Sequence, residues 1–364
     1  MTSVLARFAP VVVVTVAAVL MAACGASSRA PRTYSVPAAL RGYTCPVAAA
    51  TVGAARPGPR AANRLQVVTT VAPITSIVAE VAGDRADVHG VIPEGTDSHT
   101  FEPKPSVAES FTKADVVFVN GLHLEDPTES LAKRNIPARG QIVDLGDHTI
   151  TPAQQIFDFS FPRAAGKPNP HLWTNPPMAA CYAVIAGSAL AKADPANAGY
   201  YTSNATALKA RIDDLDQQFE QASATVAPAH RKLLTYHDAY AYFAAHYGWT
   251  VIGAIQVSSF EDPTPKEVAG LIAQVKAEKV PAIFGSEVFP SKVLAEIGSE
   301  TGVRYVDTLR DDDLPGRPGD PEHSYLGLMR ADFVTMISSL GGDPAALRAF
   351  DTADVIPDRA GYPQ

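Results

Sequence analysis

Short apolar runs alternate with segments of helical periodicity over most of the chain. Aliphatic and β-branched residues are concentrated in runs such as 65–70, 88–92 and 116–119, and segments with apolar residues three and four positions apart lie between such runs. Strands separated by helices are typical of βαβ units in a parallel sheet. The pattern therefore predicts an α/β fold with mainly parallel sheets.

One helical pattern, from about residue 195 to 225, is much longer than the others. It contains neither proline nor glycine after Gly199. One apolar stripe runs along it at spacings of three and four residues, formed by Leu208, Ile212, Leu215 and Phe219. Alternating strand and helix patterns resume at residue 232. We therefore predict two α/β lobes joined by one long helix.

These changes of pattern divide the chain into segments. They are a signal peptide at 1–23, a flexible tether at 24–63, an N-terminal α/β lobe at 64–190, a linking helix at 191–226, a C-terminal α/β lobe at 227–345 and a tail at 346–364. The tether is rich in alanine, arginine, proline, serine and glycine and has no sustained period. The tail contains proline and aspartate, and we expect it to be peripheral.

The first 23 residues have the features of an export signal. Arg7 precedes an apolar run at 11–23, which is shorter than the 20 or so residues that a spanning helix needs. Two alanines directly before Cys24 resemble the bacterial lipobox, in which the cysteine is lipidated and becomes the first residue of the mature protein. We expect a protein on the extracytoplasmic face of the cell membrane, held there by a lipid anchor.

Three cysteines are present, and the lipobox uses one of them. An extracytoplasmic location permits disulfides between the other two, Cys45 and Cys181. We hypothesise that these two pair and join the N-terminal segment to the first lobe. Two free thiols are the alternative.

Composition and charge exclude some classes of protein. With 46% hydrophobic residues in periodic patterns, the chain is not expected to be disordered as a whole. Lysine and arginine total 30 against 38 aspartates and glutamates, a formal net charge of −8, and no basic cluster offsets it. This balance argues against nucleic acid as a partner. A monomer is the expected state.

Four side chains with metal-binding chemistry stand out by position, two in each lobe: three at predicted strand ends and one in a loop before a predicted helix. They are His99, His171, His237 and Asp307. Ligands of open α/β sheets bind beyond the carboxyl ends of the strands, so these groups converge if the lobes face each other. Three imidazoles and a carboxylate suit zinc, and they also accept manganese or iron. Spacing alone leaves an ordinary structural role open for each of the four.

The motifs around these residues occur in a defined order. Residues 91–103 contain Pro-x-Gly-x-Asp-x-His followed by Glu-Pro, and residues 237–243 are His-Asp-Ala-Tyr-Ala-Tyr-Phe. Residues 169–173 match an Asp-Pro-His-x-Trp motif except that Asn169 replaces the aspartate. Over residues 65–342 the chain resembles the zinc/manganese solute-binding lipoproteins of bacterial metal ABC transporters.

This resemblance implies a C-clamp, in which two lobes surround a rigid linking helix with little hinge motion. It also implies that His99, His171, His237 and Asp307 hold one metal ion, which the protein delivers to the membrane permease of an ABC importer without covalent chemistry. Manganese-preferring relatives often carry glutamate at the position of His237, and a third imidazole favours zinc. The histidine-rich loop of many zinc-specific members is absent. We therefore expect Zn2+, with Mn2+ or iron as the alternative.

Two other classes of function remain open. An exported zinc hydrolase would have three protein ligands and an open water position, and no His-Glu-x-x-His motif is present. An adhesin-like lipoprotein would use the metal only structurally. The run 311–313, three consecutive aspartates, is predicted to be a solvated loop, with assistance in metal capture as the alternative. His323 is close enough in sequence to Asp307 to approach the site.

Overall fold

The computed structural model describes residues 36–47, 64–256, 263–286 and 291–364. Within these ranges the chain forms two parallel sheets of four strands each. The first sheet has the order β2-β1-β3-β4 and contains β1 (Leu65–Thr69), β2 (Ala86–Gly90), β3 (Val116–Val119) and β4 (Gln141–Asp144). The second has the order β6-β5-β7-β8 and contains β5 (Lys232–Thr235), β6 (Thr250–Ala254), β7 (Ala282–Ser286) and β8 (Arg304–Leu309). The predicted α/β fold with mainly parallel sheets is confirmed.

Helices connect and cover the strands. The first lobe has α1 (Ala72–Ala82), α2 (Pro105–Lys113), α3 (Asp126–Asn135), α4 (Leu145–Thr149) and α5 (Pro176–Ala193). After the long helix α6 (Ala198–Ala224), the second lobe has α7 (Ala241–Tyr247), α8 (Pro265–Glu278), α9 (Lys292–Thr301), α10 (Tyr325–Ser339) and α11 (Ala345–Ala349). Strand β3, with the sequence Val-Val-Phe-Val, is completely buried, as expected for a central strand of a sheet that helices cover.

The long helix α6 is anchored in both lobes. Its predicted apolar stripe is fully buried, and Phe219 packs against Phe243 and Phe333 with ring centroids 5.2 and 4.0 Å apart. Toward the first lobe, Asn204 Nδ2 donates a hydrogen bond to Val81 O at 3.1 Å. The helix begins at Ala198, because residues 195–197 form a separate 3-10 turn. It therefore connects the lobes through a shared core.

A disulfide joins Cys45 to Cys181 of α5, with their Cα atoms 5.3 Å apart. It attaches the segment 36–47 to the first lobe, where Tyr43 Oη also donates a hydrogen bond to Thr149 O at 3.2 Å. The predicted signal peptide, Cys24 and most of the predicted tether lie outside the described residues. Among the described residues, no helix combines the length and the apolar character needed to cross a membrane.

The segment predicted to be a peripheral tail lies against the first lobe. Gly361 N donates to Val88 O, and Gly90 N donates to Gly361 O, both at 2.9 Å. Since β2 is an edge strand of its sheet, these bonds satisfy backbone groups that would otherwise face solvent.

Candidate metal centre

Three histidines from separate loops meet at one point. The Nε2 atom of His99 lies 3.0 Å from that of His171 and 3.1 Å from that of His237, and the last two are 3.0 Å apart. Among the described residues these are the histidine, cysteine and acidic side chains whose ligand atoms come close enough together, within 4.8 Å, to hold one ion. The structure thus brings together the three histidines that the sequence analysis selected.

Each histidine is placed by the end of a secondary-structure element. His99 lies in the loop between β2 and α2, and His171 lies in the proline-containing loop before α5. His237 comes two residues after the end of β5. The first two belong to the first lobe and the third belongs to the second lobe, so the cluster lies between the lobes.

Amide side chains orient two of the rings. His171 Nδ1 lies 2.9 Å from Asn169 Oδ1, and His237 Nδ1 lies 3.0 Å from Gln256 Oε1. An amide oxygen only accepts hydrogen bonds, so Nδ1 carries the proton in each ring and Nε2 presents its lone pair to the cluster. Both rings are therefore held in the tautomer that binds a metal through Nε2.

The orientation of Asn169 is itself held. Its Nδ2 donates hydrogen bonds to Asp158 Oδ2 at 2.9 Å and to Asp238 O at 2.7 Å. These two acceptors direct the amide nitrogen away from His171 and leave Oδ1 for the ring. Asn169, which stands where the Asp-Pro-His-x-Trp motif has aspartate, thus still offers His171 an oxygen acceptor. The carboxylate of Asp158 lies behind Asn169 and accepts a hydrogen bond from its amide nitrogen.

The environment keeps the rings of His99 and His171 neutral. Burial, followed by the neighbouring His237 ring, lowers the pKa of both His99 and His171 well below its ordinary value. A neutral imidazole has the free lone pair that a metal needs, so the cluster is ready to bind at neutral pH.

Asp307, the expected fourth ligand, is not part of the cluster. Its side chain is exposed on β8, and that strand continues for two more residues to Leu309. The first residues beyond the carboxyl end of the strand are therefore 310–313. The sequence pattern placed Asp307 near the end of its strand, whereas in the structure two further strand residues follow it.

The aspartate run at 311–313, predicted to be a solvated loop, instead lies between the lobes. Asp311 Oδ2 is 3.9 Å from His237 Nε2, and the Asp311 side chain is only 16% exposed. Asp312 accepts a hydrogen bond from Ser98 Oγ, and Asp313 Oδ1 accepts one from Gly95 N at 2.9 Å. Burial raises the pKa of Asp311, while the nearby His237 lowers it. The Asp311 carboxylate therefore lies beside His237, one of the three clustered histidines.

Aromatic side chains form one wall of the site. The ring of Phe161 lies 5.6 Å from that of His99, and the ring of Trp173 lies 5.2 Å from that of His171. Trp173 Nε1 also donates a hydrogen bond to Asp311 O at 2.7 Å. Neither Phe161 nor Gln256 was selected from the sequence, because neither lies in a recognisable motif. His323 lies away from the cluster, with Nε2 3.8 Å from Glu94 Oε2.

Comparisons with known proteins identify the relatives of this chain. A family model described as ZnuA, the periplasmic component A of a zinc-uptake complex, matches residues 67–338. The iron ABC transporter substrate-binding lipoprotein MtsA of Streptococcus pyogenes serotype M1 is 25% identical over 270 residues, which cover 74% of this chain and 86% of MtsA. The manganese ABC transporter substrate-binding lipoprotein PsaA of Streptococcus pneumoniae is 23% identical over 268 residues, which cover 74% of this chain and 86% of PsaA.

A solved structure shows the same architecture. The periplasmic zinc-binding protein TroA of Treponema pallidum matches with a TM-score of 0.69 and 25% identity, and the match covers 76% of this chain and 99% of TroA. The matched relatives are substrate-binding components of transporters, so this chain is not an enzyme, as the sequence analysis expected. Because the family model spans both sheets and all three clustered histidines, the chain belongs to the ZnuA family of metal-binding components of ABC transporters.

Proposed function

We propose that this protein captures one Zn2+ between its lobes and delivers it to the membrane permease of an ABC importer. The observation that carries the proposal is the approach of three histidine Nε2 atoms to within 3.1 Å of one another. In this proposal the protein works as a monomer at the extracytoplasmic face of the cell membrane, anchored by a lipid on Cys24.

We assign His99, His171, His237 and Asp311 as the ligands. Asp311 replaces Asp307 of the sequence-based prediction, since Asp307 is exposed and Asp311 lies beside His237. A bound cation would favour the ionised form of the buried Asp311 carboxylate, whose pKa is raised by burial. Capture would therefore release a proton from any Asp311 that is protonated in the metal-free state.

The choice of zinc is supported by the chemistry of the ligands. Three imidazoles and one carboxylate form the four-coordinate nitrogen-rich set that zinc prefers, whereas manganese favours sites richer in oxygen. The relatives are named for iron and manganese as well as zinc, so Mn2+ and iron are the alternatives. Four protein ligands would also close the site to the water molecule that a zinc hydrolase activates.

Competition between metals tests this proposal. The full chain is stripped with a chelator, dialysed against equal concentrations of Zn2+ and Mn2+, and analysed by mass spectrometry for metal per chain. We expect one zinc per chain in the unaltered protein. The His171→Ala variant should bind no zinc, and the Asp311→Asn variant should bind zinc more weakly. Asp307→Asn is the matched control and should bind like the unaltered protein. One manganese would reverse the choice of metal, and no bound metal would refute the function.

A further inference from the structure

The C-terminal segment is built into the first lobe although it lies outside the part of the chain that the family model matches. That match ends at residue 338, whereas residues 354–364, here called the strap, continue beyond α11 and reach β2. Gly361 exchanges two hydrogen bonds of 2.9 Å with β2, one with Val88 and one with Gly90. The strap thus adds a short segment to the free edge of the first sheet.

Buried contacts hold the strap at other points. Val355 N donates a hydrogen bond of 2.8 Å to Oε2 of Glu80, a carboxyl that is completely buried in α1. The ring of Tyr362 packs against the ring of His323, with centroids 4.6 Å apart, and its hydroxyl donates a hydrogen bond to Asp358. The strap therefore contacts the first lobe and also the segment that leads into α10.

Three segments of the chain meet at Glu94. Its backbone N donates to Pro363 O at 3.3 Å, and its Oε2 accepts from Gln364 Nε2 at 2.9 Å. Its Oε1 accepts from Leu314 N at 3.1 Å. Glu94 lies in the loop that carries His99, and Leu314 lies in the loop that carries Asp311, so one side chain joins the strap to both ligand loops.

We propose that the strap slows release of the metal by holding the His99 loop against the Asp311 loop, with Glu94 as the positioning residue. This inference rests on the proposed function. In this proposal a bound ion leaves when ligands from the two lobes separate, and the bonds at Glu94 oppose that separation. Gly95 N, which donates to Asp313 Oδ1 at 2.9 Å, reinforces the same contact between the loops.

The rate of zinc release measures this effect. The full chain is loaded with Zn2+ and mixed rapidly with an excess of a chromogenic chelator. Glu94→Ala removes two hydrogen bonds between the loops and the strap, and we expect release about five- to ten-fold faster. Gly361→Pro removes the N–H that binds Val88 O without changing Glu94, and we expect faster release here too. Glu109→Ala removes an exposed carboxylate of the same lobe and is the control.

A conservative variant separates positioning from general stability. Glu94→Gln keeps an oxygen for Leu314 N and an amide that pairs with a flipped Gln364, so we expect its release rate to stay within about two-fold of the unaltered rate. If the unaltered protein binds zinc and all variants release it at the same rate, the strap does not slow release. The proposed function would then still stand. If the unaltered protein binds no zinc, both fail. Should Glu94→Ala not fold, Gly361→Pro decides the question.

Discussion

Nε2 of His99, from the first lobe, lies 3.1 Å from Nε2 of His237, from the second lobe. Each lobe supplies one of these two rings, so the histidine cluster lies at the contact between the lobes. An ion bound to both nitrogens would hold the two lobes together.

Acid should destabilise the metal-free protein through the histidine cluster. The pKa of His99 and His171 is lowered in the folded state, mainly by burial, so below about pH 6.5 the unfolded chain binds more protons than the folded one. Above pH 6.5 these two histidines do not lower the free energy of unfolding. As the pH falls below that value, we expect the free energy of unfolding to decrease. Urea unfolding of metal-free protein at several pH values measures the slope. The double variant His99→Gln, His171→Gln should have a shallower slope, and an unchanged slope would contradict the assignment.

Glu80 should have the opposite pH dependence. Burial raises its pKa from 4.5 to about 8, so the folded protein holds this proton more tightly than the unfolded chain. The resulting stabilisation is complete below pH 4.5 and is lost as pH rises toward 8. Glu80→Gln keeps an oxygen for Val355 N without titrating, and we expect its stability relative to the unaltered protein to increase between pH 5 and 8. The exposed Glu109→Gln is the control and should show no such trend.

Asn169 should control metal affinity through His171. Asn169→Ala removes the oxygen that accepts from His171 Nδ1, so the ring loses its fixed tautomer, and we expect zinc affinity to fall about 10- to 100-fold. Competition titration with a chelating dye measures this affinity. Asn135→Ala, which removes an amide bonded to Leu131 O in α3, is the matched control. An unchanged affinity in Asn169→Ala would mean that packing alone orients the ring.

The disulfide should stabilise the fold without affecting the metal. Cys45→Ser opens a loop of more than 100 residues, and we expect a loss of about 2–5 kcal/mol in the free energy of unfolding. The zinc affinity should stay the same, because Cys45 and Cys181 lie outside the histidine cluster. Denaturant unfolding measures this loss of stability. The samples are the Cys45→Ser variant, the unaltered protein, and the unaltered protein with reductant. Equal stability of the oxidised and reduced forms would contradict it.

Local pattern was sufficient to predict much of this molecule. The alternation of strands and helices predicted two parallel sheets, and the three- and four-residue spacing from Leu208 to Phe219 predicted the buried stripe of α6. These predictions succeed because the spacing of apolar residues in a segment indicates which of its faces is buried. The three clustered histidines were singled out by their positions near strand and helix boundaries, and their assignment as ligands came from the resemblance to metal-binding lipoproteins.

Only the tertiary structure showed which carboxylate of this segment lies beside His237. Asp307 and Asp311 are four residues apart, and the choice between them depends on where β8 ends and on how its following loop packs against Ser98 and Gly95 of the other lobe. The supporting contacts of Gln256 with His237, and of Glu94 with the strap, likewise join residues far apart in the chain. Contacts of this kind arise from packing between elements, and no local period in the sequence reports them.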